Sequence, residues 1–316
     1  MYAMCEEYHI PVLLSEAVDG LDIKPEGIYA DLTFGGGGHS SEILRRLHGK
    51  GRLYAFDQDL DALPRARELE AREEGFTFVR SNFRFLRQWM RYFGHDHIDG
   101  ILADLGVSSH HLDHEVRGFS FRFDAPLDMR MNQKASLTAA DILRDYSEEQ
   151  LASVLYLYGE LQGSRRLAAA IVKARQQKPV ETTGQLAEVL RPILRPEREK
   201  KDMARVFQAL RIEVNGEMTA LRQMLDAATR VLRPGGRLSI LTYHSLEDRM
   251  VKNVIKAGNV EGKVEADIFG HTHAPLAAVS PGLVTPSPEE QQSNPRSRSA
   301  KLRVAERTSE GFGEQN

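Results

Sequence analysis

The sequence predicts an α/β fold, a doubly wound parallel sheet interrupted by an all-helical domain. Three observations carry this expectation. Strand-like apolar runs alternate with helix-like runs over the first hundred residues. From about 136 to 211 the apolar residues recur only at three- and four-residue spacing. Beyond that stretch the alternation resumes.

Taken in order, GIYADLTF (27–34) reads as a strand that runs into glycines, and HSSEILRRLHG (39–49) as the helix after it. RLYAFDQD (52–59) is a second strand ending in acids. In the next helix Pro64 fits only the first turn, where its missing N–H costs nothing. FTFVRSNF (76–83) and IDGILADLGVSS (98–109) are the third and fourth strands. From about 112 to 134 the chain reads as loop, and Ser147 and Thr183 mark helix starts farther on. A helix over 216–232, an RPGG turn, a strand over 237–244, a further helix and a late strand over 301–308 complete the α/β pattern. The Ser-, Pro-, Gln- and Arg-rich stretch 280–299 reads as loop or partly disordered. The expected division is therefore 1–112 with 212–316 for the α/β domain, and 113–211 for the helical insertion.

The bulk properties exclude several classes. The 316 residues are enough for a sizeable core, and 28% charged against 41% hydrophobic is a globular balance. Cys5 is the single cysteine, so an intrachain disulfide and a cysteine metal cluster are both ruled out, which favours a cytoplasmic location. The N-terminus MYAMCEEYHIPVLL lacks the basic and apolar blocks of a signal peptide, and no run approaches the length of a membrane span. A net charge of −3 makes any nucleic-acid surface local. Two stretches qualify. Residues 163–211 hold twelve Lys or Arg against five acids, and 291–307 hold five against one.

Four motifs carry chemistry. DLTFGGGGHSSE (31–42) takes a strand through four glycines into a helix, a junction that lets a ligand approach the main chain. It does not fit the dinucleotide fingerprint, because the sixth position from Gly35 is Ser40, which counts against a nicotinamide oxidoreductase. Asp57, with Asp59 as the alternative, ends the second strand, where a carboxylate can accept hydrogen bonds from a ribose diol. Asp104 ends the fourth strand and faces the crevice in which open α/β sheets bind ligands; its other reading is a cap for the serines beyond it. LRPGGRLSILTYHSLEDR (232–249) brings Tyr243 and His244 to the same edge. The pairs His95 and His97, His110 and His111, and His271 and His273 match no metal-ligand pattern, so no metal is expected. Phe119, Phe121 and Phe123 alternate beside arginines and read either as core or as base-stacking platforms.

Together these motifs resemble the bacterial ribosomal small-subunit methyltransferase H family, also called MraW. The resemblance runs from HIPVLLSEAVDGL (9–21) through RGFSFRFDAPLDMRM (117–131) and RVFQALRIEVNGE (205–217) to NPRSRSAKLRVAER (294–307). It implies a Rossmann-like class I methyltransferase sheet of seven strands with an inserted helical domain that holds the RNA. It implies S-adenosylmethionine as cofactor, N4 of a cytidine in the decoding region of 16S ribosomal RNA as acceptor, and the free RNA or the small ribosomal subunit as partner. No obligatory protein partner is evident. The cofactor contacts it implies are Gly37, Gly38, His39, Asp57, Phe83, Asp104 and His111. Leu32 and Gly36 stand where the family usually has glycine and arginine, and His111 where it commonly has glutamine. Asp104 and His244 are the candidate proton acceptors, with no choice between them from sequence. Two rival readings are a DNA cytosine-N4 methyltransferase, whose usual Pro-Pro-aromatic motif is DLGVSS here, and a non-catalytic RNA-binding assembly factor.

Overall fold

The computed structural model describes residues 11–107, 115–264, 274–279 and 282–309. The chain forms two compact units, one from 1–106 with 218–316 and one from 107–217.

In the α/β unit the elements are α1 (Leu14–Asp19), β1 (Ile28–Asp31), α2 (Gly38–Leu47), β2 (Arg52–Asp57), α3 (Leu63–Glu70), β3 (Phe76–Arg80), α4 (Leu86–Tyr92) and β4 (Ile98–Asp104). With β5 (Leu232–Thr242), β6 (Leu276–Ala278) and β7 (Lys301–Arg307), the sheet has seven strands in the order β3-β2-β1-β4-β5-β7-β6. The first five run parallel; β7 is antiparallel to both its neighbours. Strands buried on both faces explain the near-continuous apolar runs. Alternation within each strand feeds two cores. Tyr54, Phe56, Ile101 and Ile240 point to one, and Leu53, Ala55, Leu102 and Leu241 to the other. Helix α2 shows the matching helical logic: Ile43, Leu44 and Leu47 are buried, and the chain leaves it through left-handed His48 and Gly49.

The helical unit holds α5 (Ala139–Asp145), α6 (Glu148–Leu157), α7 (Ser164–Arg175), α8 (Thr183–Leu190) and α9 (Glu199–Asn215). Three of them start with reciprocal capping boxes, Thr138 with Asp141, Ser147 with Gln150 and Thr182 with Gln185. Ser147 caps as expected. At the other start the cap is Thr182, one residue earlier than expected. The Thr183 hydroxyl is used elsewhere, donating to the Phe123 carbonyl (2.6 Å) and accepting the Ala125 N–H (3.0 Å). Ile142, Leu151, Ile171, Leu186 and Leu210 sit in one apolar core. Phe119 is buried there and Phe121 packs edge-on against Phe207 at 5.4 Å, so both belong to that core; Phe123 is exposed.

The chain continues with α10 (Glu217–Val231), β5 (Leu232–Thr242), α11 (Ser245–Ala257), β6 (Leu276–Ala278), α12 (Pro288–Ser293) and β7 (Lys301–Arg307). Two expectations need correction. RPGG is not a free turn: β5 already pairs at Leu232 with Ile98, bulges through Gly235 (φ 76°) and resumes register at Arg237 with Gly100. The 280–299 stretch is not loop throughout, because Ser287 caps α12, and Glu290 in that helix accepts the Leu13 N–H at 2.7 Å. Among the described residues no helix is long and apolar enough to cross a membrane.

Candidate active site

Parallel strands end at one edge, and here the register lines up their final side chains. Asp31 pairs with Leu102 two residues short of the end of β4, Asp57 ends β2 opposite Arg80, and Asp104 ends β4 opposite Leu241. The edge therefore collects Asp31, Asp57, Asp104 and Tyr243 from four strands.

The glycine loop is shaped from both sides. Gly35 and Gly37 adopt left-handed backbone (φ 50° and 76°). A side chain at Gly37 would meet the Phe34 ring, and one at Gly38 would meet Pro11, whereas a Cβ at Gly35 would find only the Thr33 carbonyl, 4.0 Å away. The open side of the loop is thus at Gly35. Asp57 fixes it there: one carboxylate oxygen accepts the Gly35 N–H at 2.8 Å and the other accepts the Asp59 N–H at 2.9 Å. A carboxylate in this position is an acceptor only, the type of group a ribose diol donates to. Asp59, the alternative ribose acid, is buried and accepts the Asp61 N–H at 3.1 Å.

Asp31 is fully buried beneath the loop. It accepts the Ser40 hydroxyl at 2.6 Å and the Thr33 N–H at 3.1 Å. Burial raises its pKa, against the lowering pull of the Ser40 hydrogen bond and the His39 charge. Asp104 is held from two directions. Its N–H donates to the Thr33 hydroxyl (2.6 Å), and its carboxylate accepts the Tyr243 hydroxyl (2.7 Å). Asp104 keeps 23% of its side-chain surface accessible, yet the protein packed around the rest pushes its pKa up. His39 and Tyr243 pull it down, and Asp31 and Glu247 add to the rise. Tyr243 lies well above its usual 10.0, first through burial and then through the Asp104 charge, so it stays a donor at neutral pH.

His39 is buried, its Nε2 3.2 Å from the Val12 carbonyl and its Nδ1 3.9 Å from Asp104. It is a ring in the wall beside Asp104. Phe83 begins a short turn after β3 and packs partly buried on the core; Asn82 before it caps that turn and donates to Gln58 at 3.0 Å, next to Asp57. His244 is the N-cap of α11. Its Nδ1 accepts the Glu247 N–H at 3.4 Å, so the proton of the neutral ring sits on Nε2, 3.1 Å from the Glu247 carboxylate. Glu247 in turn accepts the Tyr243 N–H at 3.0 Å and so fixes the strand end that carries Tyr243. His111 lies outside the described residues.

Sequence reasoning missed the roles of Asp31, Thr33, Ser40 and Glu247. A signal existed for Glu247 alone: it stands three residues after His244, the spacing of a capping box. Histidine is not a favoured cap, which hid it.

The site suits a cationic ligand. Among the described residues no Lys or Arg pairs with Asp31 or Asp104, leaving carboxylate charge at the edge unmatched by a fixed cation. A cationic ligand with a ribose and a flat base complements these acids, the Asp57 acceptor and the Phe83 ring. S-adenosylmethionine has those parts.

Comparison with known proteins agrees with this chemistry. Residues 6–308 match the model of the MraW methylase family. The chain is 59% identical over 300 residues to "Ribosomal RNA small subunit methyltransferase H" of Phocaeicola vulgatus, covering 95% of this chain and 97% of that one. The same figures hold for the protein of that name in Bacteroides thetaiotaomicron. Identity to the one in Porphyromonas gingivalis is 53% over 305 residues, again with 95% and 97% covered. With a match along nearly its whole length and this acidic strand edge, the chain belongs to the MraW methylase family.

Proposed function

We propose that this chain transfers a methyl group from S-adenosylmethionine to N4 of a cytidine in the decoding region of 16S ribosomal RNA. Family membership, and the name its relatives carry, support methylation of ribosomal RNA with that cofactor. The observation that carries the finer reading is Asp104: a strand-end carboxylate with raised pKa, braced by Tyr243 and with no Lys or Arg partner among the described residues.

The cofactor supplies a methyl group on a sulfonium, which is its own leaving group. The protein's task is positioning and proton handling. Asp57 and the Gly35 main chain hold the ribose end, and Phe83 flanks the base. Asp104 accepts one N–H of the cytosine amine, which turns the nitrogen lone pair out of conjugation with the ring and toward the methyl carbon. The proton lost from N4 passes to Asp104, whose raised pKa makes it a better acceptor than an ordinary carboxylate. Tyr243 stays protonated and only donates. His244 is the weaker base candidate, since its free lone pair is committed to the α11 cap. The helical unit is the RNA-substrate domain in this reading, with its Lys and Arg excess outside an apolar core. A substrate of ribosomal RNA places the work in the cytoplasm.

The test is transfer of tritium from labelled S-adenosylmethionine to 16S RNA, free and in 30S particles, followed by nucleoside analysis. N4-methylcytidine from the decoding region is the expected product. Label found only on C5, on ribose or on protein refutes the assignment.

A further inference from the structure

At the opposite end of the sheet, the α/β unit has a polar cavity that the proposed reaction does not use. It has a volume of about 260 Å³ and is lined by Arg87, Arg91, His95, Asp96, His97 and Arg230. His95 and its neighbours lead directly into β4, and Arg230 is in the last turn of α10 just before β5, whose Leu232 pairs with Ile98. The cavity therefore sits at the amino ends of β4 and β5. Asp104 is at the far end of β4, about 20 Å away at the usual rise per residue.

Three guanidiniums face one carboxylate in this lining. Arg87 and Arg91 lie one turn apart on α4, on the same face, and have no ion pair or hydrogen bond among the described residues. Arg230 pairs with exposed Asp226 on its own helix (3.1 Å), a solvent-screened contact. His95 is anchored by Tyr54, hydroxyl to Nε2 at 2.7 Å, so it offers its other ring nitrogen. Tyr92, the next residue on α4 and outside the cavity lining, is 76% exposed, its ring braced edge-on by Trp89 at 5.4 Å and Phe93 at 5.2 Å.

We infer that this surface binds the sugar–phosphate backbone of the RNA substrate, with an unstacked base resting on Tyr92. Guanidiniums that can pair with phosphate oxygens next to a braced, exposed aromatic ring are what single-stranded RNA requires. A strand of several nucleotides is long enough to span the roughly 20 Å from this cavity to the Asp104 edge. The inference rests on the reading that the chain acts on RNA.

The test uses the full chain with Arg87→Glu and Arg91→Glu combined, the milder pair Arg87→Gln and Arg91→Gln, and Tyr92→Ala. RNA binding by filter retention is measured separately from methyl transfer. The expected result for the charge reversal is about a tenfold weaker RNA affinity and a matching rise in KM for RNA. Both kcat and the affinity for S-adenosylmethionine stay unchanged, and the slope of log affinity against log salt falls by about two. Tyr92→Ala weakens binding without changing the slope. Unchanged RNA affinity and slope in all three variants overturn the inference while leaving the proposed reaction standing. Weaker RNA binding in the variants of a chain that transfers no methyl group to RNA supports this surface and sinks the proposed reaction. Inorganic phosphate titrated against the ring signals of His95 and His97 separates a polymer site from a small-anion site. Saturation as tight as that by RNA overturns the polymer assignment.

Discussion

The strand ends of the α/β unit and the core of the helical unit bury different chemistry. At the strand ends Asp31, His39 and Glu247 are buried, and Asp31 and Glu247 add to the rise in the Asp104 pKa. In the helical unit the buried polar side chains among the described residues are Arg117, Ser164 and Thr183, and the charges of the capping boxes sit at helix ends near solvent. A core built for stability excludes unpaired charge; a site built for a cationic ligand accepts its cost. Under the proposed reaction, the helical core holds the fold and the strand ends hold the chemistry.

The largest effect is expected where the comparison predicts pure stability. Leu210 is fully buried in the helical core, and Leu210→Ala should destabilise that unit by about 2–5 kcal/mol through lost burial and the cavity left behind. Denaturant unfolding followed with calorimetric S-adenosylmethionine binding checks both halves: stability should fall and cofactor affinity should not. A loss of cofactor affinity equal to the loss of stability breaks the separation.

Asp104→Asn comes next, with the opposite signature. The amide keeps the shape but cannot take a proton, and methyl transfer should fall about a hundredfold with unchanged unfolding. Tritium transfer within a few-fold of the parent removes Asp104 from proton handling. Retained cofactor affinity in this variant assigns the residue to the N4 side, and lost affinity assigns it to the donor side.

Asp57→Ala should weaken S-adenosylmethionine binding tenfold to a hundredfold, the worth of a hydrogen bond to a charged group at about 1.5–3 kcal/mol. The structure adds a second reason, because the same carboxylate holds the Gly35 N–H. Calorimetry showing equal affinity in the two proteins excludes the ribose role.

The two regions also differed in how well the sequence disclosed them. Asp57 and Asp104 were legible because each interrupts an apolar run at the point where a parallel strand must end. Strand β6 was not: Leu276–Ala278 is too short to show a period, and only pairing with β7 makes it a strand. The bulge in β5 was hidden by Pro234 and Gly235, which read as turn chemistry. Asp31 stood in plain view at the head of the glycine motif, but its burial depends on Ser40 and Thr33 folding over it, a tertiary fact with no local signature. His244 was singled out by residue type, whereas its neighbours use it as a cap.

The smallest expected effect has the sign that best tests the comparison. Burial raises the pKa of Asp31 above its ordinary 3.8. Between 3.8 and that raised value the folded protein holds a proton that the unfolded chain has released, so this residue's contribution to stability falls as pH rises through the window. Above the window the cost of the buried charge is constant; below 3.8 it is absent. Asn at this position removes the charge and keeps the geometry. Its oxygen can accept the Thr33 N–H, and its amide can donate to the Ser40 hydroxyl. Asp31→Asn should therefore leave stability at pH 7 equal or raise it by up to about 1 kcal/mol, and flatten the pH profile just above 3.8. S-adenosylmethionine affinity should drop as the edge loses a negative charge. Urea unfolding across the acid range, paired with calorimetry, reads all three. A destabilised variant with an unchanged pH profile makes Asp31 a fold-holding residue, and the division between strand edge and helical core then fails at its most buried carboxylate.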